Sequence, residues 1–181
     1  MKLETERLII RSWKIQDIDD LIEGLNNYNV SKWLAVVPFP YLKENAEQWI
    51  NYCLNNDIES NKKGYEFCIE LKSNQKVIGG LSVSIDRTNG ICGGGIWINE
   101  NFHGKGYGKE AFAEKIRFSF EDLGLRKLEN GFFDGNEPSK LLQENFGYKI
   151  EGKRRKKYIC LADGELKDEI ITGLLKEEWI R

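Results

Sequence analysis

Ile96-Trp97-Ile98-Asn99-Glu100-Asn101-Phe102-His103-Gly104-Lys105-Gly106-Tyr107-Gly108-Lys109-Glu110-Ala111 leads out of an apolar stretch, through three alternating glycines, and into an amphipathic segment. The apolar residues before the glycines read as a strand. The stripe Phe112, Ile116, Phe120 and Leu123 after them reads as a helix that stops near Gly124. Glycines let the backbone come close to a ligand, and the first turn of a helix offers unpaired N–H groups and a positive dipole end. Such a loop is built to hold an anion, most often phosphate. It is not a Walker loop, which needs GxxxxGK and then Ser or Thr. It is not the dinucleotide fingerprint GxGxxG either, because Lys109 follows Gly104, Gly106 and Gly108. One or two glycines would serve a plain turn; three, with Lys105 and Lys109 beside them, favour a phosphate cradle.

Leu8-Ile9-Ile10 opens the chain as a strand, and Ile15, Ile18, Leu21, Ile22 and Leu25 recur at helical spacing. An irregular stretch with Trp33 and Pro38-Phe39-Pro40-Tyr41 precedes a second helix marked by Ala46, Trp49, Ile50, Cys53 and Leu54. Period-two alternation then takes over at Tyr65, Phe67, Ile69 and Leu71, with Glu66 and Glu70 facing the other way. Turns at Ser73-Asn74-Gln75 and at Asp86 to Gly90 delimit strands from Val77 to Ile85 and from Ile91 to Ile98. After the glycine loop and its helix come a strand from Leu128 to Phe133 and a short helix opened by Pro138 and closed by Gly147. Two last strands flank Ala162-Asp163-Gly164-Glu165. The order predicts one α+β domain over residues 1–181: a largely antiparallel meander, then a strand–loop–helix–strand unit.

Composition narrows the function classes. With 40% hydrophobic and 31% charged residues the 181-residue chain can bury a core, and a net charge of −2 advertises neither nucleic-acid nor membrane binding. The basic run Lys153-Arg154-Arg155-Lys156-Lys157 reads as a solvated strand edge. Four scattered cysteines and a single histidine leave a metal site without clustered ligands, so no metal is expected. The N-terminus shows no apolar signal region and no run reaches membrane-spanning length, which predicts a cytoplasmic protein with buried, reduced cysteines.

Gly93-Gly94-Gly95-Ile96-Trp97-Ile98-Asn99 through Gly108-Lys109-Glu110-Ala111 closely resembles the GCN5-related N-acetyltransferase (GNAT) superfamily. The motif Arg/Gln-x-x-Gly-x-Gly/Ala of that superfamily reads here His103-Gly104-Lys105-Gly106-Tyr107-Gly108. The likeness continues in Phe120 to Leu125, Asn136-Glu137-Pro138-Ser139-Lys140, Glu144 to Gly152, Leu174 to Trp179 and, at the start, Glu4 to Arg11. Together these resemble the ribosomal-protein (RimJ/RimL-like) branch. The resemblance implies a mostly antiparallel sheet of about seven strands flanked by helices, and transfer of an acetyl group from acetyl-CoA to an amine acceptor, a protein N-terminus or a small molecule. It also leaves a homodimer among the expected partners.

The same resemblance implies that the coenzyme pyrophosphate sits on the N–H groups from His103 to Lys109, and that its pantetheine arm pairs with the strand ending at Trp97-Ile98-Asn99. The Ile98 N–H would then receive the carbonyl oxygen. Asn136 would help hold the pantetheine, Ser139 would serve the sulfur as proton donor or water anchor, and Lys140 would face a phosphate. Helix capping accounts equally well for Asn136 and Ser139, and solvation for Lys140. Many relatives carry a glutamate base at the position of Gly93. None stands there, which leaves Glu66 and Glu70 as candidates, although simple alternation favours a solvent-facing role for that pair, and keeps open a coenzyme-binding module without catalysis. Trp33, Phe39 and Tyr41 are expected on the acceptor pocket wall, with Trp49 in the core. Cys92, near the donor strand, leaves an acyl-enzyme route open.

Overall fold

The periodicities resolve into strands β1 (Lys2–Glu4), β2 (Leu8–Ser12), β3 (Gly64–Leu71), β4 (Val77–Asp86), β5 (Ile91–Gly93), β6 (Ile96–Ile98), β7 (Lys127–Phe133), β8 (Lys149–Ile159) and β9 (Leu166–Leu175). The helices are α1 (Ile18–Leu25), α2 (Tyr28–Ser31), α3 (Lys43–Asp57), α4 (Tyr107–Arg117) and α5 (Glu137–Glu144). The computed structural model describes residues 1–57 and 63–180. Among them nine strands form one sheet in the order β1-β2-β3-β4-β5-β7-β9-β8, with β6 following β5 along β4. Only β5 and β7 run parallel, joined by the crossover that contains α4; the other pairs are antiparallel.

Each face of the sheet buries its own core. Phe67, Ile69, Leu81 and Val83 meet Ala111, Phe112 and Ile116 of α4 on one side. Trp13, Cys68 and Val77 meet Leu21 and Leu25 of α1 and Ala46 and Ile50 of α3 on the other. A fully buried side chain of this size contributes about 1.5–3 kcal/mol. Beyond Arg117 the α4 helix widens into a π-helical turn over Phe118–Asp122, which buries both Phe118 and Phe120. The short helix α2, inside the stretch expected to be irregular, is capped by Asn27, whose side chain accepts from Asn29 N at 2.9 Å.

Two features raise the strand number above the expected seven. β1 is too short and too polar to show a period. The expected strand from Ile91 to Ile98 is divided at Gly94, whose φ of +105° bends the chain. A Cβ on Gly94 would meet Ser82 O at 2.3 Å, so only glycine fits there. Pairing with β4 keeps the same register on both sides of the bend, Ser84↔Gly93 before it and Leu81↔Ile96 after it. Pairing with β7 does not survive it and ends at Cys92↔Leu128. β6 therefore swings away from β7 and leaves a gap in the sheet.

The basic run lies on β8, an exposed edge strand, with a register break between Arg154 and Tyr158. Its cations meet acids nearby: Lys153 with Asp134 at 2.7 Å and Arg154 with Glu169 at 3.1 Å. The four cysteines are buried, and none of them is in a disulfide.

Candidate active site

Hydrogen-bond phase decides which groups of β6 face the gap. Asn99 N donates to Ile78 O and Ser82 N to Gly95 O, so Ile78/Asn99 and Ser82/Gly95 are bonded pairs. Antiparallel alternation then makes Gly80/Trp97 a bonded pair as well, and turns the N–H and C=O of Ile96 and Ile98 away from β4. The Ile98 N–H points into the gap between β6 and β7. Its carbonyl accepts from His103 Nε2 at 2.7 Å, which ties the strand end to the glycine loop. Trp97 contributes its side chain instead: the ring lies against Gly24 and Gly80, and a Cβ on Gly80 would meet Trp97 Nε1 at 2.5 Å. Asn99 departs from expectation. It is buried, its Oδ1 accepts from Asn101 N, and its amide donates to Glu23, so it takes no part in the gap.

The glycine loop opens into the same cleft. Gly104 and Gly106 have φ of +72° and +82°, and Gly106 is the N-cap of α4. Glu110 N closes onto Gly106 O, while the amides of residues 104–109 find no acceptor among the described residues. An array of free amides at a helix start is an anion site. The N-terminal segment holds it in shape. Arg7 donates to Glu110 Oε2 at 2.7 Å and to Lys105 O at 3.0 Å, and stacks 4.5 Å from the Tyr107 ring centroid. Burial works against the Glu110 charge, yet the bonds from Thr5 and Arg7 hold its carboxyl below the usual range. Local sequence signals give neither Arg7 nor Glu110 a role, although both fall in segments that resemble the superfamily, Glu4 to Arg11 and Gly108 to Ala111. Lys105 turns its ammonium to Asn101 O and Lys140 pairs with Glu137, so neither side chain lines the cleft.

Across the gap, Asn136 caps α5 by accepting from Ser139 N at 3.3 Å, as capping required, and both residues also line the cleft. A second chain of bonds was not foreseen. Thr172 Oγ1 donates to Gln143 Oε1, and Gln143 Nε2 donates to Ser139 Oγ at 3.2 Å. Gln143 and Thr172 are buried, so Ser139 receives a fixed donor and its own hydrogen is left to point outward.

The two candidate bases part company. Glu70 is buried in a triad, its Oε2 2.7 Å from Arg11 Nε, while the same guanidinium holds Asp17 at 2.8 Å; it does not reach the cleft. Glu66 lines the cleft and makes no hydrogen bond or ion pair within the described residues. Burial pushes its carboxyl up to about 7, against the opposing field of Lys115. Trp33 and Tyr41 line the same cleft, as does Trp49, which was expected in the core and packs against it as well. Phe39 does not: it is exposed, and its ring packs at a tilt against Tyr28 with centroids 5.5 Å apart. Cys92 is buried beneath the sheet, its Sγ 3.4 Å from Ser119 Oγ, and lies outside the cleft lining, which leaves no path for an acyl-cysteine.

The cleft encloses about 1810 Å³, more than the roughly 300–1,000 Å³ of a single small-molecule pocket, and so has room for two substrates. Among the described residues there is no cluster of three or more His, Cys, Asp or Glu able to hold a metal, and no helix is long and apolar enough to cross a membrane.

Residues 7–149 match the acetyltransferase (GNAT) domain family. The "uncharacterized N-acetyltransferase p20" of Bacillus licheniformis is 30% identical over 178 residues, covering 98% of this chain and 97% of its own. RimJ of Mycobacterium smegmatis, solved with CoA-disulfide, superposes with a TM-score of 0.82 at 18% identity, over 96% of this chain and 84% of that one. The ribosomal-protein-S5-alanine acetyltransferase of Vibrio fischeri superposes with a TM-score of 0.76 at 19% identity, over the whole of both chains.

Proposed function

The chain belongs to the GNAT acetyltransferase family, and on that premise we propose that it transfers acetyl directly from acetyl-CoA to a primary amine, with Glu66 as base. That it is an acetyl-CoA-dependent N-acetyltransferase follows from the family and from relatives that carry that name. A primary amine as acceptor and the direct route are what we propose. One observation carries it: a strand N–H at Ile98 turned away from β4, an outward hydroxyl at Ser139 and a Glu66 carboxyl without a partner among the described residues open on one cleft.

The donor fits what the chain presents. The free amides of residues 104–109 suit a pyrophosphate, and the open edge of β6 suits an extended arm of amides that adds itself as a strand. Glu66 takes the proton from the acceptor ammonium. The neutral amine then attacks the thioester carbon, forming a C–N bond and placing negative charge on the oxygen beside the Ile98 N–H. One such donor contributes on the order of 3 kcal/mol. When the C–S bond breaks, the electron pair leaves on sulfur; the nitrogen, now bonded to the acyl carbon, gives up its second proton, and the Ser139 hydroxyl, or a water it anchors, relays a proton to the thiolate.

A base near 7 suits this chemistry, because it is ionised at neutral pH and still basic enough to accept a proton. Glu66 thus supplies what Gly93 lacks, and favours catalysis over a purely coenzyme-binding module. The acceptor is a protein N-terminus or a small-molecule amine; the name of the Vibrio fischeri relative gives ribosomal-protein-S5 alanine for that protein. A panel of N-terminal peptides and small amines, followed by free-thiol release, tests the reading. Intersecting double-reciprocal lines are expected; parallel lines, or no turnover on any amine, would contradict it.

A further inference from the structure

We propose that Lys115 is a positioning residue for acetyl transfer: its buried ammonium holds the Gly94 carbonyl, keeps β6 apart from β7, and supplies a positive charge across the sheet from Glu66. The inference rests on the acetyltransferase reading above. Lys115 is only 1% exposed, two turns along α4 from the phosphate cradle, and it forms no salt bridge among the described residues. An ammonium in such a place needs a reason.

The hydrogen-bond phase of the kinked segment supplies one. Ser82/Gly95 is a bonded pair, so the Gly94 carbonyl points away from β4 and toward β7. In an unbroken parallel ladder a β7 N–H would meet it. Here Lys115 Nζ donates to it instead, and the Asn130 carboxamide, in its hydrogen-bonding orientation, adds a second bond at 2.6 Å. These two side chains take the place of the ladder, and the β5–β7 pairing ends. The gap along β6 begins at that point. Lys115 therefore links the helix that carries the cradle to the strand edge that carries the Ile98 N–H.

Charge is the second half of the argument. Lys115 reaches the kink from the α4 face, while Glu66, paired with Ser82, lies on the face of α1 and α3. Three successive glycines, Gly93 to Gly95, leave no side chains between. The other charges that share the cleft with Glu66 are Lys63, Asp86, Glu129, Arg154 and Glu169, with Glu100 and Lys109 at the glycine loop. Glu129 pairs with Lys127 and Glu169 with Arg154, and α3 lines the cleft with the uncharged Gln48, Trp49 and Tyr52. Behind the sheet the titratable neighbour of Lys115 is Cys92. Lys115 opposes the effect of burial on Glu66 and favours its charged form, the one a base requires.

Two variants of the full chain separate the roles. Lys115→Gln keeps a donor for Gly94 and removes the charge; Lys115→Met removes both. Acetyl-CoA affinity by calorimetry and the Glu66 titration by carboxyl carbon-13 NMR, its signal assigned with Glu66→Gln, need no acceptor. The Glu66 midpoint should rise by half a unit or more in both variants, as expected for loss of a nearby opposite charge. Acetyl-CoA affinity should stay within about threefold in Lys115→Gln and weaken about tenfold or more in Lys115→Met, the scale of one charged hydrogen bond. If Lys115→Met does not fold, Lys115→Gln decides. A native midpoint in Lys115→Gln, or a native affinity in a folded Lys115→Met, would overturn the proposal. Full acetyl transfer by Glu66→Gln would instead sink the base assignment, a result distinct from either.

Discussion

His103 Nε2 donates to Ile98 O at 2.7 Å, so the single imidazole of the chain is bound to the end of the strand whose N–H faces the cleft. A ring held this way orients Ile98 and is not placed to take a proton from an acceptor. His103→Ala should weaken acetyl-CoA binding by about fivefold, the scale of one neutral hydrogen bond of ~1 kcal/mol. The acid limb of the pH–rate profile should survive. Loss of that limb in His103→Ala would make the histidine the base instead.

Glu66→Gln should reduce kcat by roughly 10²–10⁴ and leave acetyl-CoA affinity unchanged, since the lost step is proton transfer. Burial raises the Glu66 carboxyl to about 7, so the native enzyme loses its charged base as pH falls through that value. Its rate should drop toward tenfold per unit below it, and the residual rate of the variant should not. Steady-state rates between pH 5.5 and 9 distinguish the two.

Gly106 has φ of +82° and lies with Arg7 Nη2 3.4 Å from where a Cβ would be. Gly106→Glu should place a strained side chain and a negative charge at the cradle. Acetyl-CoA binding should become undetectable by calorimetry while circular dichroism stays native. Unchanged affinity would contradict the assignment of residues 103–109.

Glu70→Gln should behave in the opposite way. Glu70 shares the Arg11 guanidinium with Asp17 in the interior, so removing its charge should cost about 2 kcal/mol in urea unfolding. Turnover of the folded fraction should be native. A selective fall in kcat would show that Glu70 reaches the substrate after all.

Ser139→Ala should lower kcat about tenfold or more with little change in acetyl-CoA affinity, because Gln143 and Thr172 aim a hydrogen outward that alanine lacks. Gln143→Leu should give part of that loss without touching the cleft. Native kcat in both variants would make Ser139 a capping residue only.

Local signals carried most of the fold. Alternation located β3 and β4, helical stripes located α1, α3 and α4, and the glycines with Asn136 and Pro138 marked the helix starts. These are effects of neighbours within a turn or two of the chain. Alternation also placed Glu66 and Glu70 on one face, and there it stopped, because the partner that sets them apart is Arg11, 59 residues from Glu70 in sequence. Phe39, Asn99 and Lys140 were sought in the cleft and lie outside it, each turned to another partner: Tyr28, Glu23 and Glu137.

Residue order alone was thus enough for the strand–loop–helix unit, the glycine loop at a helix start and the family likeness, since each depends on spacing along one continuous segment. Packing between distant segments decided the rest: the division of the strand at Gly94, the latch of Arg7 on Glu110, the bonds behind Ser139 and the isolation of Glu66. A carboxyl's proton affinity depends on what surrounds it in space, and for Glu66 those surroundings are assembled only when the sheet closes over Lys115.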